Sequence, residues 1–352
     1  MLSYHAPWWL PGGHAQTIYA AVCAPRPKVE YRRERWDTPD GDFIDLDWTV
    51  FPAADGRRED LSKSGSGFQE RASAPLVVLF HGLEGSSRSH YSAGLMAAVR
   101  EIGWSGVVVH FRGCGGEANR LPRAYHSGDA REIDWILRRL REKGPDAPLF
   151  AIGISLGGNA LLKWLGETGA CARGVVDRAA SVSAPLDLMV AGDALGRGLN
   201  LMYAWHFLAT LKPKALAKDA LFPGLIDAAR VRAAWTLRAF DDLVTAPLHG
   251  FRNTDDYWTR ASSKPGLKDI RIPTLLINAK NDPFLPCGAL PGPHEVGPPV
   301  LLEQPESGGH VGFVSGEFPG NLEWLPRRVL GFFDATGGEG TSNAVAARRK
   351  NQ

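Results

Sequence analysis

Cysteine is scarce in this chain: four in 352 residues, at Cys23, Cys114, Cys171 and Cys287, with no two in a C-x-x-C pair. That spacing argues against a disulfide framework and against a cysteine-based metal site, and it points to a reducing compartment. Charge excess is missing too. Forty Lys and Arg against 38 Asp and Glu leave a formal net charge of +2. No field of one sign exists to hold a polyanion or an anionic lipid surface, so nucleic acid is not an expected partner. The terminal basic cluster Arg348-Arg349-Lys350 is too short to change that. No apolar stretch reaches the length of a bilayer span without charge, Gly or Pro, so no integral membrane segment is expected. The first residues, MLSYHAPWWLPGGHAQ, lack the basic start and apolar run of a secretory leader. The expected setting is cytoplasmic, with neither metal nor cofactor.

Apolar content is ordinary, at 44%. The length suits one large α/β domain with an insertion, or two small domains. Two segments read as disordered: 57–74, polar and rich in Gly and Ser, and the tail 337–352. Elsewhere, short apolar runs alternate with helical patterns. LVVLF (76–80), VVVHF (107–111), LFAIGI (149–154), AASVS (179–183), PTLLIN (273–278) and VLL (300–302) read as buried strands. AREIDWILRRLREK (130–143) places Ile133, Ile136, Leu137 and Leu140 on one face of a helix, with Asp129 as its natural N-cap. Strands alternating with helices imply a mostly parallel sheet covered on both faces.

The alternation breaks over 188–268. This helix-like stretch is expected to be a cap above the C-terminal strand ends, where ligands bind in such sheets. Met202, Tyr203, Trp205, Phe207, Leu208, Trp235, Leu237 and Phe240 give it that pattern, and its aromatics are expected to pack the cap's core, with direct substrate contact as the alternative. The expected division is therefore 1–187 and 269–336 for the core, 188–268 for the cap and 337–352 for the tail.

Within FAIGISLGGNALLKW (150–164) a buried strand runs into a helix through Gly-Ile-Ser-Leu-Gly. In a strand–Ser–helix elbow the serine takes a strained conformation, and side chains two residues before and after it would collide. Gly153 and Gly157 remove them, and Gly158 extends the relief. The Ser155 hydroxyl then points out of the sheet above the free N–H groups of a helix N-terminus. In a chain with 40 glycines the bare motif carries little weight; the strand before it and the helix after it make Ser155 a candidate nucleophile.

A serine needs a base, and the base an orienting acid, here in the chain order Ser, acid, His. Four histidines follow Ser155: His206, His249, His294 and His310. His310, in ESGGHVGF, lies a short glycine-rich loop beyond the last strand and is the best base by position. Asp282, in the Asn281-Asp282-Pro283 turn past a strand, is the best acid; Asp187 is the alternative, and Asp241 and Asp242 fit cap structure better. An oxyanion site needs two backbone N–H groups. Leu156 follows the nucleophile directly, and Leu83 sits in the loop FHGLEGSS (80–87). His81 is expected to brace that loop, with Glu84 as loop structure or at the substrate's edge. In FRGCGGEANR (111–120) Arg112 is expected to pair with a carboxylate, while Cys114 lacks a base. His126 and Asp129 are expected to cap the next helix.

These residues make the chain resemble an α/β-hydrolase. In particular it resembles the AB hydrolase-4 family of bacterial esterases and their eukaryotic relatives, the medium-chain acyl hydrolases and phospholipases. The matching stretches run from about residue 8 to 335: GGHAQTI, HGLEGSS, FRGCGGEANR, YHSGD, GISLGGNALLKWLGE, FDDLVTAPLHGF with DYW, NAKNDPFLP and GGHVGF. The resemblance puts a triad on Ser155, Asp282 and His310. It implies a hydrolase of carboxylic esters, with a small-molecule ester as substrate; the apolar cap expected over 188–268 suggests an acyl chain of short to medium length. Some eukaryotic members carry an N-terminal membrane anchor that is not seen here. No chemical role follows for His14 of GGHAQTI, which reads as part of a packed N-terminal arm. An acyltransferase and a non-catalytic acyl-ligand-binding protein are the alternatives.

Overall fold

The computed structural model describes residues 3–51 and 74–335. The expected disordered segments, 57–74 apart from Ala74 and 337–352, lie outside the described residues.

Eight strands form one sheet: β1 (Tyr31–Asp37), β2 (Phe43–Thr49), β3 (Leu76–Phe80), β4 (Ser105–His110), β5 (Leu149–Ile154), β6 (Arg178–Val182), β7 (Thr274–Ile277) and β8 (Val300–Glu303). Their order is β1-β2-β4-β3-β5-β6-β7-β8. β2 is antiparallel to β1 and β4, and every other pairing is parallel. The six apolar runs are the six parallel strands. β3, β4 and β5 are buried along their whole length, as strands covered on both faces must be.

Helices α1 (Gly13–Val22), α2 (His90–Glu101), α3 (Ala130–Lys143) and α4 (Leu156–Thr168) precede β6. Between β6 and β7 come α5 (Leu188–Leu195), α6 (Leu201–Leu221), α7 (Ala228–Ala233), α8 (Leu237–Phe240), α9 (Ala246–Leu248) and α10 (Thr254–Ala261). The last is α11 (Trp324–Asp334). Alternation along β3 sorts the core into two layers. Val77 and Leu79 pack with Leu95, Met96 and Val99 of α2 and with Val329 and Phe333 of α11. Leu76, Val78 and Phe80 pack with the α3 stripe and with Leu161 and Leu165 of α4. The Asp129 carboxylate caps α3, accepting from the Glu132 N–H at 3.4 Å.

The hairpin β1–β2 escapes an apolar-run criterion because its sequences, YRRERWD and FIDLDWT, are rich in charge. Register explains the pattern: Arg33 faces Asp47 and Arg35 faces Asp45 across the strands. Both pairs are two-pronged, at 2.7 and 2.9 Å and at 2.8 and 3.0 Å. Such cross-strand ion pairs let a polar edge strand stay ordered.

Two small cores hold the segment between β6 and β7. One joins Leu208, Ala215, Val231, Phe240 and Val244; the other joins Leu188, Ala246, Tyr257, Trp258 and Ala261. The aromatic core expected here is only partly right. Met202, Trp205 and Trp235 are exposed, the two tryptophans at 54% and 62%. α6 buries a single narrow stripe, Ala204, Leu208 and Ala215, so Met202 and Trp205, off that stripe, meet water, while Trp235 lies in the link between α7 and α8. Asn159 of α4 anchors the base of this segment. Its amide donates to the carbonyls of Ser127 and Ala261, and its oxygen accepts from the Ser263 N–H.

Candidate active site

Ser155 joins β5 to α4 with φ 52 and ψ −119, a left-handed region that non-glycine residues seldom occupy. The flanking glycines work as expected, with one refinement. A Cβ on Gly153 would sit 2.5 Å from the Gly157 carbonyl, whereas one on Gly157 would strike the Phe80 and His81 carbonyls at the end of β3. A Cβ on Gly158 would lie 2.7 Å from Ser181 Oγ. The elbow is therefore pressed against two neighbouring strands as well as against itself.

The three residues singled out for a triad meet, although they lie far apart in sequence. Ser155 Oγ is 2.9 Å from His310 Nε2. His310 Nδ1 is 2.9 Å from Asp282 Oδ2 and 3.2 Å from Oδ1. One tautomer satisfies both contacts: Nδ1–H donates to the carboxylate, and Nε2 accepts from the hydroxyl. Asp282 is buried, and its Oδ1 also accepts from the Phe284 N–H at 2.8 Å. The arrangement gives the serine proton an acceptor whose orientation is set from behind.

The competing acids and bases sit elsewhere. Asp187 caps α5 through the Val190 N–H. Asp241 accepts from Trp258 Nε1 at 2.8 Å and Thr245 Oγ1 at 2.6 Å, and burial raises its carboxyl to about 6. Asp242 accepts from the Thr254 N–H. His206 and His294 are exposed. His249 packs against His126, ring centroids 4.5 Å apart. His126 does not cap α3, contrary to expectation. Its Nδ1 is taken by the Gly128 N–H, and the rings of His249, Phe251 and Tyr257 surround it.

Leu83 and Leu156 both line the cavity that Ser155 lines. Among the described residues neither backbone N–H has an acceptor within the protein. Gly82 makes the approach of the Leu83 loop feasible, since a Cβ there would come within 3.1 Å of Ser155 Cβ. The loop is fixed from several sides. The Gly82 N–H donates to the Tyr91 hydroxyl and the Glu84 N–H to the Tyr125 hydroxyl, which in turn donates to the Glu84 carboxylate. Lys214 of α6 pairs with the same carboxylate at 2.7 Å. His81 braces the loop as expected: Nδ1 donates to the Gly82 carbonyl, Nε2 accepts from the Phe111 N–H, and burial pushes the ring down to about 3. Arg112 finds its carboxylates in Glu132, Asp40 and Asp42, at 2.6, 2.9 and 3.2 Å. Burial pushes the Cys114 thiol up to about 12, which disfavours the thiolate.

Above Ser155 lies a cavity of about 470 Å³. Phe207, Leu211, Leu225, Ile226, Leu237 and Val244 supply apolar wall from the segment between β6 and β7. Among the described residues no helix is long and apolar enough to cross a membrane.

A sheet of this order with a serine elbow after its central strand is the architecture of the α/β-hydrolases, and the chain belongs to that family. The family description "alpha/beta hydrolase fold" matches residues 75–317. The chain is 39% identical over 318 residues to a protein of Escherichia coli (strain K12) named "Putative esterase YheT", an alignment covering 90% of this chain and 88% of that one. It is 31% identical to the mouse protein named phospholipase ABHD3, over 95% of this chain and 78% of the relative. Among solved structures, an esterase of Pyrococcus furiosus superposes with a TM-score of 0.53 at 15% identity, covering 89% of this chain and 96% of that one. That likeness speaks for the fold.

Proposed function

We propose that the protein is a serine hydrolase of carboxylic esters, acting through an acyl-enzyme on Ser155. The observation that carries the reading is the unbroken relay of 2.9 Å from Ser155 Oγ to His310 Nε2 and of 2.9 Å from His310 Nδ1 to Asp282. Ser155 Oγ attacks the ester carbonyl while His310 Nε2 takes its proton. Asp282 keeps the Nδ1–H tautomer and stabilises the imidazolium. The N–H groups of Leu83 and Leu156 bind the oxyanion, helped by the positive end of α4. His310 then protonates the leaving alcohol. In the second half it deprotonates a water that opens the acyl-enzyme and frees the acid. Segment 188–268 acts as a cap, and its apolar wall takes an acyl chain of short to medium length. Membership of the family supports this reading, as do the names esterase and phospholipase of its relatives.

The test is labelling by a fluorophosphonate, alongside hydrolysis of p-nitrophenyl esters of increasing chain length. Wild type should label and hydrolyse, and Ser155→Ala should do neither while keeping its circular dichroism. Folded wild type that neither labels nor cleaves any ester overturns the proposal. Ester products on adding an alcohol would reassign the second step to acyl transfer.

A further inference from the structure

We propose that α1 is a positioning element for the catalytic histidine, with Gln16 and Thr17 holding the backbone of His310 in register with Asp282 and Ser155. The inference rests on the triad assigned above. It gives a role to GGHAQTI, which neither the sheet nor the cavity requires.

The loop that carries His310 is strained. Gly308 and Gly309 have φ of 150 and 58, and the two non-glycine residues Val311 and Phe313 have φ of 55 and 42. Side chains at positive φ cost free energy and persist only where the surroundings over-determine the backbone. Here four consecutive N–H groups each find a side-chain acceptor instead of a strand or helix partner. Gly308 donates to Gln16 Oε1 at 2.8 Å, Gly309 to Asn281 Oδ1 at 2.9 Å, His310 to Thr17 Oγ1 at 2.8 Å and Val311 to Ser183 Oγ at 3.1 Å. His90 Nε2 closes the set on the Val311 carbonyl.

Two of those acceptors belong to α1, and both are themselves oriented. Gln16 Oε1 also accepts from Asn281 Nδ2 at 3.0 Å, while its Nε2 donates to the Leu10 carbonyl. One buried amide thus ties the histidine loop to the residue preceding Asp282. Thr17 Oγ1 spends its proton on the Gly13 carbonyl at 2.7 Å, which leaves a lone pair for the His310 N–H. The two chains approach backbone to backbone. A Cβ on Gly13 would strike the Asn281 carbonyl. One on Gly309 would come to 2.7 Å from Gly13 O, and one on Gly312 to 2.8 Å from Gln16 O.

α1 takes little part in ordinary core packing. The helix buries Gln16, Thr17 and Ala20 but leaves Ile18 and Val22 exposed, at 40% and 72%. Its apolar contact is a small cluster of Ala20 with Leu10 and Val314, which does not account for the buried polar pair. His14 takes no part in the loop; its ring lies parallel to Tyr203 of α6, and its Nδ1 is 3.1 Å from that hydroxyl.

The full-length chain carrying Thr17→Val, Thr17→Ser or Gln16→Met is titrated for active sites with the fluorophosphonate. The labelling rate constant, kcat and KM are then measured per titrated site. Thr17→Val keeps the shape and loses the acceptor, so kcat and the labelling rate should fall together by about 10- to 100-fold with KM unchanged, as for a small misplacement of a reacting group. Gln16→Met should do the same, and Thr17→Ser should restore both rates. If the Val and Met variants melt at lower temperature but each titrated site works at the wild-type rate, α1 only stabilises the fold and the proposal is overturned. Should Gln16→Met not fold, the Thr17 pair decides alone. Wild type that does not label brings down the triad reading instead, a result distinct from any difference between the variants.

Discussion

Phe284 lies face to face with His310, ring centroids 3.9 Å apart and planes 20° from parallel. The same residue donates its backbone N–H to Asp282 Oδ1. One position therefore fixes the carboxylate through its main chain and supports the imidazole through its side chain. The face of an aromatic ring attracts a cation, and the imidazole becomes one as the serine proton moves across.

That stacking predicts a defect in turnover. Phe284→Leu keeps the backbone bond and most of the bulk but removes the π face. With a p-nitrophenyl acetate substrate, which leaves most of the cavity empty, kcat should fall roughly 5- to 30-fold, the worth of about 1–2 kcal/mol. An unchanged kcat in steady-state assays would remove Phe284 from the mechanism.

The elbow predicts an intolerance. In Gly157→Ala the added methyl meets the carbonyls of Phe80 and His81, which are main chain and cannot swing away. The variant should lose about 2–4 kcal/mol of stability in urea titrations. The folded fraction should label slowly, because the end of β3 also leads into the Leu83 loop. Wild-type stability and labelling would mean that the elbow has more slack than its geometry allows.

Buried histidines predict acid lability. Burial holds His81 to about 3, His90 to about 4 and His249 to about 3, against an ordinary 6.5. A depressed pKa in the fold means that the unfolded chain binds the proton more tightly. The contribution is complete above pH 6.5 and is lost as the pH falls below it, roughly 2 kcal/mol for each histidine by pH 5. Asp241 works the other way. Its carboxyl is raised from 3.8 to about 6, so its contribution is full below 3.8 and lost as the pH rises to 6. Over the same interval that offsets little more than about 1 kcal/mol. Thermal melts should therefore show Tm falling steadily from pH 6.5 to 5. A flat profile would mean that these rings reach water.

The cavity predicts where acyl preference can be moved. Leu211 lines it from α6. Leu211→Trp should shorten the longest p-nitrophenyl ester that is turned over efficiently, while acetate hydrolysis stays within about threefold of wild type, since one side chain in an apolar pocket is worth only about 1–3 kcal/mol. An unaltered chain-length profile would place the acyl group elsewhere.

Much of this protein was legible because its determinants are local. The six apolar runs, the α3 stripe with its Asp129 cap, and the glycines around Ser155 are each read within a dozen residues, since burial on both faces and a sharp turn leave their mark on adjacent positions. The chain order serine, aspartate, histidine with short loops after the strands was enough to single out Asp282 and His310. The charged hairpin was not legible, because what makes Arg33 and Arg35 tolerable in a strand is Asp47 and Asp45 on the next one. The exposure of Trp205 and Trp235 was hidden as well: composition marks a stretch as apolar but does not say which of its side chains are covered.

The fold class, the elbow and the candidates for the triad could be read along the chain, because they follow from side-chain period, backbone sterics and the order of residues after the strands. Which histidine meets Ser155, and what holds it there, is fixed by contacts between distant segments. The N–H of His310 bonds to Thr17, 293 positions away along the chain. A contact of that separation exists only after the sheet has closed, so no local pattern around either residue announces it.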